Sequence, residues 1–375
     1  MIPSTDSPAV LIAALSGRAL AACARRGGYR PLVADMFGDL DTRDLAEASE
    51  TVPGSLTHGF AKDTLSAALD RLAAGRHVIG VVVGSGFEDR PGLLRCIAAR
   101  HALLGNPAAV VTEIKNPFRF AETCALAGVP HPEVRLDQPR EGIWLRKRIG
   151  GAGGMHIAAS TRRDTARRGR YFQRRVAGQP VSAAFLAAGG RCRVLGLSRQ
   201  WAEPAPRRPF RYGGSSRPAP LSDARAGELS DAVARLVSLT GLRGLNSADF
   251  LVREDGFDML EVNPRPGATL DIFADAEGAL FRMHLDACKG VLPDTIPVWP
   301  HAAAAAAFVY APADITLPPI FPWPVWTADR QAPGSWVPKG APLCTVLAET
   351  SDAEAAERLV RHRAAEILAH AEGAA

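Results

Sequence analysis

Three short stretches of this chain gather side chains able to handle charge. The first is DFLVREDGFDMLEVNPRPGATLD, from Asp249 to Asp271. In a hairpin that turns near Asp255, Asp249 and Glu261 fall on adjacent strands. Glu261 and Asn263 are two apart and share one face of an extended strand. Asp249, Glu261 and Asn263 therefore aim three oxygen donors at one point. Such donors suit Mg²⁺ when phosphate oxygens complete its shell. Burying the carboxylates without a cation would be costly, and Met259, Leu260 and Val262 mark the strand as partly buried. Arg265 continues the same face and offers a bidentate guanidinium to phosphate or to an acyl phosphate. The competing reading is an Asx-type turn carrying surface acids.

The second stretch is Lys147 followed by Gly150, Gly151, Gly153 and Gly154. The spacing fits neither a dinucleotide fingerprint nor a P-loop. Glycines at this density still leave backbone N–H groups uncovered and able to close on phosphate oxygens, and Lys147 adds a point charge. A flexible hairpin tip explains the glycines equally well. The third stretch is Gln173, Arg174, Arg175 and Val176, ahead of Gly178. A strand edge here can offer a backbone N–H and C=O to an adenine, with Val176 over the ring. The alternative is a solvated strand with its arginines outward.

These stretches need elements to position them. PAVLIAALSGR (8–18), YRPLVADMFGD (29–39) and RHVIGVVVGSGFED (76–89) read as buried strands, with a helix-like ALAACARRGG between the first two. That pattern predicts an α/β layer over about the first 110 residues. NPFRFAETCALAGV (116–129) predicts a short helix. EGIWLRKRIGGAGGMHIAAS (141–160) predicts strand, glycine turn and strand, and residues 171–201 a β meander joined at Gly178 and Gly189–Gly190. SDAVARLVSLTG (230–241) has helical periodicity. Residues 245–265 predict an antiparallel hairpin with a left-handed Gly256 in its turn. Beyond position 300, HAAAAAAFVYAP and PKGAPLCTVLAET predict strands. The last 23 residues predict an amphipathic helix with Ala356, Leu359 and Ile367 on one face.

Composition narrows the function classes. The chain has 375 residues, 47% hydrophobic and 22% charged, which fits two or three folded domains rather than a disordered chain. No apolar run is long enough for a transmembrane helix, and the start lacks the basic flank of a secretory signal. The expectation is a cytoplasmic protein without a membrane partner. The six cysteines are scattered, with no CxxC, and read as reduced core thiols. Net charge is +5, with arginine-rich runs at 162–170 and 205–214. Because 44 basic residues face 39 acidic ones and no aromatics interleave the basic clusters, nucleic acid is not the expected partner.

WLRKRIGGAGGMHI, QRRVAGQPVSAAFL and the 249–271 hairpin together resemble the ATP-grasp superfamily of carboxylate–amine ligases, whose magnesium site typically closes with an E-x-N-x-R strand. The resemblance implies a mixed α/β and α+β fold. Its expected parts are an α/β pre-grasp domain at 1–112, a small subdomain with the glycine-rich flap at 113–180, a large subdomain with the metal site at 181–298, and a small mixed β/α cap at 299–375. It implies ATP and two Mg²⁺ ions. Lys147 and the 150–154 flap would meet the phosphates, and Arg174 to Val176 would form the adenine hinge, with Gln173 and Gln179 nearby. Arg119 would stand where such proteins carry an upstream phosphate-binding lysine, and Arg265 would steady the transferred phosphate. The sequence departs from the pattern at the hinge, where Arg174 replaces a glutamate and the ribose acid is missing, and at Asp249, where glutamate is usual.

SGRALAACARRGGYRPLVADMFGDLDTR, GLSRQW and PFRYGG extend the resemblance to ligases that attach glutamate to amine precursors of methanofuran and methylofuran. The implied activity is ATP-dependent amide formation between L-glutamate and an amine in cofactor biosynthesis for one-carbon transfer, by an enzyme that is often a homodimer. An ATP-dependent carboxylase, another acyl-phosphate ligase and a non-catalytic nucleotide-binding regulator stay open. Arg18, Asp35, Asp39 and Arg43 lie at the ends of early strands, where α/β layers bind ligands, and either line a substrate pocket or order their loops. Ser85 and Glu88 in GSGFED either receive a carboxylate or form a tight turn. Arg211 and Tyr212 follow an arginine-rich loop that could greet an anionic substrate. His58, Glu88 and His156 are the candidates for a base.

Overall fold

A computed structural model describes residues 6–373, except 57, 138, 140, 162, 163, 166 and 276. Arg162 and Arg163 of the first basic run therefore lie outside the described residues. The apolar runs of the N-terminal part form β1 (Ala9–Ala14), β2 (Arg30–Asp35), β3 (Ala48–Thr51) and β4 (Val78–Val83). They pair in parallel in the order β3-β2-β1-β4. β1 is buried along its whole length because both faces are covered. Val10, Ile12 and Ala14 pack with Leu20 and Ala21 of helix α1 (Arg18–Arg26). Ala9, Leu11 and Ala13 pack with Leu65 and Leu69 of helix α2 (Lys62–Ala73).

Two helices lead out of this layer, α3 (Ala108–Lys115) and α4 (Pro117–Leu126). Asn116 separates them. Its side chain accepts from the N–H groups of Phe118 at 3.0 Å and Arg119 at 3.3 Å, and Pro117 follows at the first helical position. That cap stops α3 at Lys115. A small antiparallel sheet follows, built from β5 (Val134–Arg135), β6 (Trp144–Arg148), β7 (Ala158–Ala159) and β8 (Arg170–Arg174) in the order β5-β8-β6-β7.

The expected meander over 171–201 breaks at Gly178. β8 stays in the small sheet, while β9 (Gln179–Ala188) and β10 (Arg191–Ala202) enter a second, larger one. That sheet adds β11 (Tyr212–Arg217), β12 (Gly244–Arg253), β13 (Gly256–Asn263), β14 (Ala303–Tyr310), β15 (Thr327–Ala328) and β16 (Pro342–Thr350), in the order β13-β12-β9-β10-β11-β14-β16-β15. The C-terminal strands are thus hydrogen-bonded to β11 through β14 rather than standing apart as a cap. The amphipathic helix α5 (Ala353–Gly373) covers them, with Ala356, Val360 and Ile367 fully buried.

The 245–265 hairpin forms as the alternation predicts, with one correction in its turn. Gly256 is the first residue of β13, paired with Arg253, and its φ is not left-handed. The second half of the hairpin carries a bulge. Asp249 pairs with Glu261 and Phe250 with Met259, which leaves Leu260 unpaired. Without it, Met259 and Glu261 would share a face. With it, Phe257, Met259 and Val262 all reach one core cluster, and Glu261 and Asn263 turn to the other side.

Arg18 joins three distant segments. Its guanidinium is paired with Asp271, with Nη2 at 2.7 Å from Oδ2, and donates to Asp329 at 3.0 and 3.1 Å. Ser16 and Thr345 hydroxyls also donate to Asp329, at 3.0 and 2.5 Å. Arg18 therefore serves as the counter-charge of a buried tie between α1, the segment after the hairpin and the C-terminal strands, not as a free ligand-facing cation. Removing one partner of such a group leaves the others uncompensated. Arg18→Met should lower unfolding free energy by about 3–5 kcal/mol, seen as a lower urea midpoint; an unchanged midpoint would show that the tie carries no stability.

Candidate active site

The three oxygen donors named from the sequence do converge. Asp249 and Glu261 face each other across the β12–β13 ladder. Asn263 Nδ2 donates to Asp249 Oδ2 at 3.0 Å, and Ser182 Oγ, from the neighbouring β9, donates to Asp249 Oδ1 at 2.7 Å. Burial and the charge of Glu261 push the Asp249 carboxyl above its usual range. Burial also acts to raise Glu261, but the ammonium groups of Lys115 and Lys147 outweigh it and hold its carboxyl below the usual value. One acid thus holds its charge firmly while its neighbour waits for a cation.

Lys115 is the main residue that the sequence reading missed. Its Nζ donates to Glu261 Oε2 at 2.9 Å and to Asn263 Oδ1 at 3.1 Å. Arg119, expected in this place, lies on the outer side of α4, where it pairs with Glu122 at 3.0 Å and approaches Glu113 at 3.8 Å. The Asn116 cap explains the difference, since it redirects the chain one residue after Lys115. A signal existed in the sequence. Only five lysines occur in a chain dominated by arginine, and the two buried ones, Lys115 and Lys147, both stand here. A compact ammonium fits between close oxygens where a planar guanidinium does not.

Lys147, on β6, is buried, and burial lowers its pKa against the pull of Glu261. Among the described residues no hydrogen bond or ion pair is formed by its ammonium, so it is a cation awaiting an anion. Above it, the loop after β6 is wedged between two other segments. A side chain on Gly150 would meet the Cα of Asp89 at 2.5 Å, and one on Gly154 the carbonyl oxygen of Phe210 at 1.7 Å. The Tyr212 N–H donates to the Gly153 carbonyl at 3.1 Å. Glycine is thus required by close approach, and the loop roofs the pocket instead of forming a free hairpin tip.

Beneath the loop lies a pocket of mixed lining. Ile114, Pro117, Phe120 and Leu260 supply apolar surface, Gln173 and His131 neutral polar groups, and Lys115, Arg148, Gly150, Gly151, His156, Tyr171 and Glu261 complete the wall. Gln173 is buried, and its amide lies 3.4 Å from His131 Nε2. The third stretch differs from the expected strand edge. β8 is paired on both sides, and the N–H groups of Arg174 and Arg175 already donate to the carbonyls of Glu133 and Ile143 at 2.8 and 2.9 Å. The arginine side chains point outward, so the amides this segment has left begin at Val176. Gln179 is half-buried at the start of β9, paired with Val252.

The remaining residues divide clearly. Glu88 is buried. It accepts from the N–H groups of Gly86 and Phe87 at 2.8 and 2.9 Å, and Arg265 Nε donates to its Oε1 at 2.6 Å. Burial would raise its pKa, but Arg265 and Lys115 bring it down to about 2, which makes it a structural anion rather than a base. Asp35 accepts from Gly17 and Gly38 N–H, and Asp39 caps the helix Leu40–Leu45 through Thr42. Both order loops beside the Arg18 tie, while the Ser85 carbonyl accepts from Leu15 N–H at 2.9 Å. Arg211 is buried, bonded to the Glu203 and Gly340 carbonyls and stacked 3.6 Å over Tyr310. Tyr212 donates to Ser215 Oγ at 2.9 Å. Neither Arg211 nor Tyr212 is free to meet a substrate. All six cysteines are free thiols.

Residues 115–269 match a family described as the ATP-grasp domain. The biotin carboxylase domain of Hydrogenobacter thermophilus 2-oxoglutarate carboxylase, solved as a dimer with MgADP, ADP and bicarbonate, superposes with a TM-score of 0.71. The two share 13% identity over 94% of this chain and 88% of that one. The chain has the ATP-grasp fold.

Other ATP-grasp neighbours agree. N5-carboxyaminoimidazole synthetase from Staphylococcus aureus, complexed with ADP, gives a TM-score of 0.67 at 12% identity over 97% and 99% of the two chains. Campylobacter jejuni biotin carboxylase, in a β,γ-ATP complex, gives 0.69 at 13% over 93% and 89%. No curated protein matches the sequence. Among the described residues no helix is long and apolar enough to cross a membrane, and no three His, Cys, Asp or Glu side chains form a ready-made metal cage. Two carboxylates and an amide oxygen nonetheless make an all-oxygen donor set of the kind Mg²⁺ takes when substrate phosphates supply the rest.

The Glu88–Arg265 pair links the N-terminal layer of the chain to the end of β13. Because the folded pKa of Glu88 is depressed, its contribution is complete above about pH 4.5 and is lost as pH falls toward about 2. The loss is on the order of 3 kcal/mol. Urea unfolding at pH 6 and pH 3 should show Glu88→Gln losing less stability in acid than wild type by about 2 kcal/mol, because at pH 3 the loss is not yet complete; equal acid losses would remove Glu88 from this role.

Proposed function

We propose that this chain is an ATP- and Mg²⁺-dependent ligase that joins a carboxylate to an amine through an acyl phosphate. The observation that carries this reading is a cluster of Asp249, Glu261 and Asn263 with the two buried lysines, Lys115 and Lys147, beside a pocket that Lys115, Glu261 and the glycine-rich loop line. Asp249, Glu261 and the Asn263 carbonyl would hold Mg²⁺, and the resemblance noted from the sequence implies two ions. When bound, the metal neutralises phosphate charge.

The chain's own residues do the rest. Lys147 and Lys115 meet the phosphate oxygens, and the 150–154 amides close over them. The apolar lining of the pocket takes the base, with Gln173, His131 and the Val176 backbone as its polar contacts. Arg265, oriented by Glu88, faces the transferred group. A carboxylate oxygen attacks the terminal phosphorus of ATP, the bond to the ADP oxygen breaks, and an acyl phosphate forms. The amine nitrogen then attacks the acyl carbon, phosphate leaves and the amine proton goes to solvent or phosphate. Charged groups held in place before reaction make this transfer fast, and no covalent enzyme nucleophile is needed.

The division of labour we propose follows the sequence boundaries. Residues 1–112 present the second substrate, 113–180 cover the nucleotide, 181–298 carry the metal hairpin, and 299–375 brace the large sheet. The motif resemblance supports L-glutamate as the carboxylate and an amine precursor of a methylofuran-type cofactor as its partner. A second reading takes bicarbonate as the carboxylate, favoured by the bicarbonate bound in the 2-oxoglutarate carboxylase neighbour. ADP release with ATP and Mg²⁺ should require L-glutamate plus a phenolic or furan-bearing amine. Dependence on bicarbonate instead selects the carboxylase, and ATP binding without ADP under any mixture rejects both. Glu261→Gln should abolish turnover with little change in the thermal midpoint. Unchanged activity would remove the metal assignment.

A further inference from the structure

His156 follows the glycine-rich loop and belongs to none of the elements that hold the nucleotide in the reading above. Its ring is packed against the Cα of Gly151. A β-carbon on Gly151 would lie 2.3 Å from His156 Cγ and 2.5 Å from Nδ1. Glycine at 151 is what lets the imidazole stand there. The ring lines the pocket with Lys115, Gly151, Tyr171 and Glu261.

Its Nδ1 is buried and has no hydrogen-bond partner among the described residues. A buried ring nitrogen without a partner costs about as much as a lost hydrogen bond, so a group in the working protein should satisfy it. The electrostatic surroundings say which kind. Three cations, Lys147, Lys115 and Arg148, act on the imidazole against one carboxylate, Glu261. That balance calls for an incoming anion. An imidazole with an anion before it presents an N–H.

The neighbours of the loop narrow the anion. In the ligase reading the base sits against Phe120, His131 and Gln173 of this pocket, and Arg265 meets the transferred phosphate. The loop over His156 packs at Gly150 against Glu88 and Asp89, next to the Glu88–Arg265 pair. The part of a nucleotide furthest from its base reaches this spot. We propose that His156 is a catalytic residue whose imidazole Nδ1–H donates a hydrogen bond to the terminal phosphoryl group of the bound nucleoside triphosphate, and so distinguishes triphosphate from diphosphate.

This inference rests on the ligase reading, and the test separates the two. Binding of ADP and of the non-hydrolysable β,γ-imido analogue of ATP, each with Mg²⁺, is measured by calorimetry for wild type, His156→Leu and His156→Asn. Leucine keeps the apolar contact with Gly151 but has no donor, and asparagine restores an N–H near the place of Nδ1. His156→Leu should lose about tenfold to a hundredfold in affinity for the triphosphate analogue with ADP affinity unchanged, and His156→Asn should recover most of the loss. Turnover should fall in kcat more than in the KM for the carboxylate.

Equal losses for ADP and analogue, or no loss for either, would overturn the role of His156 and leave the ligase reading intact. Wild-type protein that binds neither nucleotide would overturn both. If the leucine variant fails to fold, the wild type still decides the matter. The ¹⁵N resonances of the His156 ring should shift on adding the analogue and stay in place with ADP, and the reverse result sinks the proposal.

Discussion

Two carboxylates held face to face across one antiparallel ladder are the constraint to which the rest of this structure answers. Asp249 and Glu261 would repel each other in a half-dry site without compensation. The fold supplies it in layers. Ser182 and Asn263 donate to Asp249, Lys115 binds Glu261 and Asn263, and Lys147 adds charge from the facing sheet. The compensation remains partial, since the Asp249 carboxyl stays above its usual range. In the function proposed above, a divalent cation would complete that charge balance.

Bringing those groups together takes all three layers of the molecule. The large sheet provides the carboxylates, α3 provides Lys115, and the small sheet provides Lys147 and the roof. Buried polar ties hold the layers in register. Glu88 reaches Arg265 from the N-terminal layer. Asn106 donates to Asn246 Oδ1 and to the Pro264 carbonyl at 2.8 and 2.9 Å, and Arg18 gathers Asp271 and Asp329. Such ties are directional, and a fully satisfied polar network specifies one arrangement more strictly than apolar contact does. Much of the arginine in the chain works this way. Arg18, Arg211 and Arg217 are buried and bonded to protein oxygens, so the positive net charge overstates how much cation is open to a ligand.

The sequence carried the main outline of the site for a physical reason. Strand periodicity places residues two apart on one face, and a short turn brings residues twelve apart opposite each other, so Asp249, Glu261 and Asn263 could be put together without coordinates. The glycine-rich loop beside Lys147 was legible because glycine density is a local property. Candidates chosen by loop position fared worse. Arg18, Asp35, Asp39, Arg211 and Tyr212 are polar residues near strand ends, but whether such a residue meets substrate or another protein group depends on distant partners such as Asp329 and Gly340.

Local pattern by itself therefore determined the parallel N-terminal layer, the hairpin that sets Asp249 opposite Glu261, the closing helix and the absence of disulfide spacing, because each follows from period, turn residues or cysteine spacing within a short window. Tertiary structure alone decided three things. It joined the C-terminal strands to the central sheet through β11 and β14. It chose Lys115 over Arg119, since the Asn116 cap turns one inward and the other out. It also set the Leu260 bulge, without which the buried face of β13 and its charged face could not both be served. A one-residue change of register moves every side chain to the opposite face, and only pairing with β12 fixes where that change occurs.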